Sequence, residues 1–283
     1  MRFNKRVHLT NMKRFLASLA VICGLLSIAP IRTVAADDYE LKIGVQTWTL
    51  RNLNFDQVVD FCVKHKIKYL ELIANHMDPK APMEETRRKK EILDKNGLVA
   101  YSFGVAGTSL DKEDNRKMFE FAKFMGIKLI VIEPGDFKIF DNIEELVKEY
   151  DIKVAVHNHG ITSTYGNPNT LKNLIKYRDK RIGSCLDVGW TASARFDPAK
   201  IYREFNGRVY DIHLKDKKVT STPTGDRAKD VFIGEGDANL KELFKVLKET
   251  HYDGILAIET DNDLKDPTEH IEKALAFVEA NKP

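Results

Sequence analysis

The chain has 283 residues, enough for one large domain or two small ones, and a composition ordinary for a globular protein: 43% hydrophobic, 31% charged and 9% aromatic. Residues 1–36 hold six of the 45 Lys and Arg and none of the 42 Asp and Glu, so the formal net charge of +3 becomes 39 − 42 = −3 over residues 37–283. The basic character therefore belongs to the N-terminal segment, and nothing electrostatic recommends nucleic acid as a partner of the remainder.

That segment reads as an export signal. Arg2, Lys5, Arg6, Lys13 and Arg14 form a basic start, and Phe15 to Ile28 (FLASLAVICGLLSI) is an apolar stretch. Thr33-Val34-Ala35-Ala36 then supplies small residues before Asp37. The expectation is a signal peptide over 1–36, too short to span a bilayer comfortably, followed by a single catalytic domain over 37–283. A periplasmic or extracellular location without a stable membrane anchor follows; an anchor that stays attached is the alternative reading. Cys62 and Cys185 remain after cleavage. Two lone cysteines make no disulfide framework and read as buried free thiols.

From there, strand-like and helix-like segments alternate. Short runs rich in Val, Ile and Leu lie at Lys42–Leu50, Tyr69–Ala74, Leu98–Val105, Leu129–Glu133, Val154–His157, Gly183–Val188, Val209–Leu214 and Gly254–Thr260. Being mostly unalternated, they read as strands buried on both faces. Between them lie amphipathic stretches. Asn54 caps the first, with Phe55, Val58, Val59 and Cys62 on its inner face. Asp111–Met125 ends at Gly126, a C-cap residue. Asn142–Tyr150, Thr170–Tyr177, Asp197–Phe205, Asn239–His251 and Pro267–Ala280 behave likewise, with Pro198 and Pro267 at first-turn positions. Eight strands alternating with helical stretches, at intervals of roughly 30 residues, predict a single-domain α/β (β/α)8 TIM barrel. A doubly wound sheet is the alternative, but GVQTWTLRN after the first strand has one Gly and lacks a dinucleotide fingerprint.

In such a barrel the chemistry sits at the C-terminal ends of the strands. The first strand delivers Gln46, Trp48 and Arg51 there, and the second Glu71, then Asn75 and His76. The fourth ends at Glu133 and the fifth, in VAVHNHG, at His157 and His159. The sixth ends at Asp187 and Trp190, the seventh at Asp211, His213, Lys215 and Asp216, and the eighth at Glu259 and Asp261. A carboxylate closing an apolar run needs a partner, because a lone buried charge is costly. Several such groups converging on one barrel mouth point to a divalent metal. Imidazole mixed with carboxylate suits Mn²⁺, Zn²⁺, Co²⁺ or Fe²⁺ better than Ca²⁺; Mg²⁺ completes the candidates. Asp187, His213 and Glu259 are the expected ligands. His157 and His159 share a strand face by alternation, with His157 the expected ligand and His159 the expected base. Bland readings stand beside these. His159 would cap the rim, Asp211 would point away from His213 or pair with a lysine, and Lys215–Asp216 would be a surface ion pair. His65, His251 and His270 would be solvated.

HNH on the fifth strand, LDVGW on the sixth, HLKD on the seventh, GEGD some twenty residues later and ETDN on the eighth resemble the xylose-isomerase-like TIM barrels, also called sugar phosphate isomerases/epimerases. The resemblance runs from GVQTWTLR to ETDN, and HLKD with GEG is its most specific part. It implies one metal held by an acid, Asp, His and Glu on the fifth to eighth strands; the last three match Asp187, His213 and Glu259. Many epimerases carry Glu where this chain has His157, so the two-Glu proton shuttle is not reproduced. Glu133 and His157 match the pattern of inosose dehydratases instead. Either His157 takes the fourth ligand position, or Glu133 does and His157 becomes a base.

A metal that polarises a carbonyl and its neighbouring hydroxyl acidifies the C–H between them, and a His or Glu within reach removes the proton. Reprotonation elsewhere gives isomerisation or epimerisation; loss of a β-substituent gives a lyase. Lys215 would stabilise the oxyanion, with Glu133 and His159 as the other catalytic candidates. Gln46, Trp48, Trp190, Glu71 and His76 would contact substrate. An exported enzyme rarely meets phosphosugars and no Arg cluster suits phosphate, so the expected substrate is an unphosphorylated sugar. Exported members of the family resemble enzymes acting on 3-keto-glycosides. A non-catalytic sugar-binding barrel is the rival from another class.

Overall fold

The computed structural model describes residues 39–223 and 225–282; the export signal expected over 1–36 lies outside them. Among the described residues the strands are β1 (Lys42–Gln46), β2 (Tyr69–Leu72), β3 (Val99–Ala106), β4 (Leu129–Ile132), β5 (Lys153–His157), β6 (Ile182–Asp187) and β7 (Val209–Leu214). A hairpin follows, β8 (Lys217–Thr222) and β9 (Gly225–Asp230), and then β10 (Ile255–Ile258). Strands β1 to β7 and β10 close a parallel barrel in the order β1-β10-β7-β6-β5-β4-β3-β2. The (β/α)8 expectation holds.

The helices are α1 (Phe55–Lys64), α2 (Met83–Lys95), α3 (Lys112–Met125), α4 (Ile139–Tyr150), α5 (Pro168–Ile175), α6 (Val188–Ser193), α7 (Pro198–Glu204), α8 (Leu240–Glu249) and α9 (Thr268–Asn281). Their ends follow local chemistry. Asn54 and Gln57 form a reciprocal capping box at α1, and Gly126 takes the left-handed conformation that ends α3. No described helix is long and apolar enough to cross a membrane.

The main core lies between barrel and helices: Leu70, Ile130, Val154, Ile212 and Ile258 face outward onto Phe119, Phe140, Leu146 and Phe244. Burying each such side chain contributes about 1.5–3 kcal/mol. Inside the barrel the apolar filling is thin. Leu129, Val131, Ala155 and Cys185 form a small layer with Tyr101 and Tyr210 against it. Above that layer the interior is polar.

The structure departs from the expected elements in three places. The first run, expected as strand to Leu50, turns into a 3-10 helix at Thr47, because the Gln46 side chain accepts from the Trp48 N–H at 2.6 Å and closes a tight turn. The short α6 was not expected; Asp187 caps it through the Trp190 N–H at 2.8 Å. The β8–β9 hairpin was not expected either, because its outer half alternates polar residues with no apolar face. His270 was expected to be solvated and is buried against Phe232, and the His65 ring packs on Phe61.

Candidate active site

Alternation along the barrel strands sends every second side chain inward. On β7 and just beyond it, that brings Asp211, His213 and Lys215 up one wall. On β5 it gives Ala155, His157 and then His159; on β6, Cys185 and Asp187. Glu133 follows β4 and Glu259 follows β10. These positions build two polar layers.

The upper layer lies at the strand ends. Ligand-type atoms of His157, Asp187, His213 and Glu259 all lie within 4.8 Å of one another, and all four residues are buried. His213 Nδ1 is 2.6 Å from Glu259 Oε2, and His157 Nε2 is 3.6 Å from Asp187 Oδ2. Yet both ring nitrogens of His157, Asp187 Oδ2, His213 Nδ1 and Glu259 Oε2 are buried without a well-formed hydrogen bond. Glu133 stands behind His157 rather than within this group, its Oε2 3.6 Å from His157 Nδ1 and 2.7 Å from His159 Nδ1. Burial works against the Glu133 charge, but the nearby His157 imidazole and the hydrogen bond from His159 hold its pKa at about 2. A carboxylate only accepts, so His159 Nδ1 carries a proton toward it. His159 is the open member of the set, its side chain 45% exposed.

Lys215 closes the layer. Its Nζ lies 3.1 Å from Asp187 Oδ2, 3.3 Å from Glu259 Oε1 and 2.9 Å from Asp261 Oδ1. Burial opposes the ammonium charge, but Asp187, Glu259 and Asp261 hold it protonated, well above the usual lysine range. Burial likewise opposes ionisation of Glu259, which Lys215 and His213 hold well below the usual carboxylate range. Lys217 bridges Asp230 and Asp261 beside it and sits 3.6 Å over the Trp190 ring. Five carboxylates (Glu133, Asp187, Asp230, Glu259 and Asp261) thus face two ammonium groups. The orphaned nitrogen and oxygen atoms of His157, Asp187, His213 and Glu259 are donors suited to a further cation. The donor set fits a divalent metal.

The lower layer is saturated. Glu71 Oε1 receives Gln46 Nε2 at 3.1 Å and lies 3.2 Å from His213 Nε2, and its Oε2 receives the Tyr101 hydroxyl at 3.4 Å. The single proton of that hydroxyl is shared with Asp211 Oδ1, the nearer acceptor at 3.0 Å, and the Cys185 thiol lies 3.9 Å from Asp211 Oδ2. Asp211 therefore does not point away from His213: residues two apart on one strand share a face, and Asp211 Oδ2 is 3.8 Å from His213 Nε2. Burial and the neighbouring Glu71 carboxylate push the Asp211 carboxyl well above its ordinary range.

Several expected substrate contacts move. Glu71 is fully buried behind His213, and the Gln46 side chain is consumed by Glu71, the Gly104 carbonyl at 2.8 Å and the Trp48 N–H. His76 is buried with Nε2 3.0 Å from the Leu53 carbonyl; burial lowers its pKa. These three are placed in the protein interior rather than on an open wall. Trp48 is 40% exposed, with Arg51 4.7 Å over its ring. Trp190 lies 5.6 Å from His159. The HLKD and GEGD motifs meet: Asp216 accepts the N–H groups of Lys217, Gly234, Gly236 and Ala238 at 3.0, 3.0, 2.8 and 3.2 Å. It is a buried loop anchor, not half of a surface pair with Lys215. A Cβ on Gly236 would lie 2.0 Å from Asp216 Oδ1, so only glycine closes this cradle. Tyr101 and Asp230 were missed. Tyr101 is an aromatic in an apolar run whose partner lies 110 residues away, while Asp230 sits in the unforeseen hairpin.

Comparison with known proteins fits this geometry. Residues 59–281 match the family described as xylose isomerase-like TIM barrel. An inosose dehydratase of Clostridium perfringens is 25% identical over 240 residues, covering 69% of this chain and 80% of that enzyme. The match to the inosose dehydratase of Clostridium tetani, 26% identical, spans 52% of that protein. A crystal structure from Parabacteroides distasonis superposes with a TM-score of 0.67 at 27% identity, covering 85% of this chain and 98% of that one. The IolI protein, solved with a bound zinc atom, shares the fold at a TM-score of 0.64 and 16% identity, over 84% and 97% of the two chains. The chain belongs to the xylose isomerase-like TIM barrel family.

Proposed function

We propose that this protein is a divalent-metal-dependent enzyme that removes a proton beside the carbonyl of an unphosphorylated sugar, and that its substrate is a 3-keto-glycoside from which it eliminates the aglycone. The single observation carrying the reading is the set of orphaned buried donors on His157, Asp187, His213 and Glu259, gathered at one barrel mouth. Those four residues would hold the metal. A bound Zn²⁺, Mn²⁺, Co²⁺, Fe²⁺ or Mg²⁺ would supply Lewis-acid polarisation of a carbonyl and adjacent hydroxyl.

The remaining steps belong to the chain's own groups. Glu133 holds His159 with Nδ1–H turned toward it, which leaves Nε2 free to accept a proton. His159 takes the proton from the carbon next to the keto group, and the C–H electron pair moves onto the carbonyl oxygen. Lys215, held protonated, supplies positive charge close to the developing oxyanion. As the carbonyl re-forms, the C–O bond to the aglycone breaks, and the departing oxygen takes the proton back from His159. The products are an unsaturated keto sugar and the free aglycone, with no net change in oxidation state. Trp48 and Trp190 would wall the sugar ring. The name of the inosose dehydratase relatives, which denotes elimination, supports a lyase. Export to the periplasm or beyond belongs to the same proposal and rests on residues 1–36.

Incubation with a 3-keto-glycoside and Mn²⁺ in D₂O, followed by NMR, tests it. The expected result is release of the aglycone. Deuterium at the α-carbon without aglycone release would overturn the lyase and leave an epimerase or isomerase. Binding without exchange or release would leave a sugar-binding barrel.

A further inference from the structure

We propose that Glu71 is a positioning residue: held by Gln46 and Tyr101 and backed by Asp211, it fixes the His213 imidazole with Nε2 toward the barrel interior and Nδ1 toward the cation site. This rests on the reading of the upper layer as a cation centre.

Two carboxylates inside the barrel need a reason. This level is ordinarily filled by Val, Ile and Leu, and unpaired buried charge costs several kcal/mol. Both Glu71 and Asp211 are completely buried, so neither meets substrate. What Glu71 meets is His213, its Oε1 3.2 Å from Nε2. A carboxylate accepts only, so Nε2 carries a proton toward Glu71; Nδ1, 2.6 Å from Glu259 Oε2, faces the cation site and is the nitrogen whose proton a bound cation would displace. The carboxylate itself has little freedom. Gln46 pins Oε1 and is itself fixed by the Gly104 carbonyl, while Tyr101 ties Oε2 to Asp211 across the barrel. A half-turn of the His213 ring would place carbon against both Glu71 and Glu259. The lower layer thus sets the orientation and tautomer of a ligand that the upper layer uses.

The test is binding of Zn²⁺ alone to the full chain, by calorimetry, in wild type, Glu71→Gln and Asp187→Asn, together with ¹⁵N-histidine NMR of wild type. The expected results are Zn²⁺ binding by wild type, loss of binding in Asp187→Asn, and affinity about 10–100-fold weaker in Glu71→Gln with an unchanged circular dichroism spectrum. Wild-type His213 loaded with Zn²⁺ should show a protonated Nε2 and an unprotonated Nδ1. Wild-type affinity in a folded Glu71→Gln, or a protonated Nδ1 in the loaded wild type, would overturn the positioning role and leave the cation centre standing. Absence of Zn²⁺ binding by wild type would instead overturn the centre, and this role with it. Should Glu71→Gln not fold, the wild-type NMR decides alone.

Discussion

The two polar layers in this barrel are built from the same residue types and differ in how their atoms are used. In the lower layer Glu71, Asp211, Tyr101, Gln46 and Cys185 satisfy one another. In the upper layer His157, Asp187, His213 and Glu259 approach closely but leave buried donor atoms without hydrogen bonds. A saturated buried network rigidifies; an unsaturated one is costly unless something else completes it. The contrast separates support from site more sharply than burial or residue type, since both layers are buried and both are acidic. His213 belongs to both, one nitrogen facing each.

The largest expected effect lies at the open edge of the upper layer. His159→Gln should lower kcat about 10²–10⁴-fold, the usual contribution of a general base, while metal content stays at the wild-type level. A drop in metal content would make His159 a ligand and redraw the boundary of the layer.

Next comes charge. Lys215→Met leaves Asp187, Glu259 and Asp261 facing one another with their shared ammonium gone. The metal-free variant should lose about 3–5 kcal/mol in urea unfolding, as when one member of a buried ion pair is removed. Divalent metal should restore part of that loss; no restoration would place the cation elsewhere.

The pH dependence of metal binding sharpens the shared role of His213. Burial opposes its charge, but Glu259 and Glu71 raise its pKa well above the ordinary value. The metal-free ring therefore binds a proton that a cation must displace from Nδ1. Apparent affinity should rise about tenfold per pH unit wherever one proton is displaced, and calorimetry in buffers of different ionisation enthalpy should register proton release. A flat profile between pH 6 and about 8 would contradict this.

The smallest effect belongs to the saturated layer. Tyr101→Phe removes one hydroxyl that serves both Asp211 and Glu71. Stability should fall by about 1–3 kcal/mol, the cost of leaving a buried acceptor unpaired. Metal affinity should change far less than in Asp187→Asn. An equal loss in the two variants would erase the distinction between the layers.

Much of the upper layer was legible in the sequence, because each member closes an apolar run at a strand end and the barrel rule says where strand ends go. Asp187, His213 and Glu259 stand out on that basis alone. Alternation also placed His157 and His159 together. The same rule, applied to DIHLKD, puts Asp211 beneath His213; the reading as a residue pointing away ignored it. Glu71 was visible as a strand-end acid but not as a support, because its partners Tyr101, Gln46 and His213 come from three other strands. Contacts across a barrel leave no local periodicity to find. The hairpin escaped for the opposite reason: Lys217 to Asp230 has no apolar face, and its base is held by buried ion pairs instead.

The account is tested most directly by the metal content of purified protein after saturation with Zn²⁺ or Mn²⁺ and removal of excess ion. About one ion per chain is expected in wild type, and none in Asp187→Asn or His213→Ala, both folded by circular dichroism. Full metal content in both variants would contradict the central claim that the unsatisfied upper layer is the cation site.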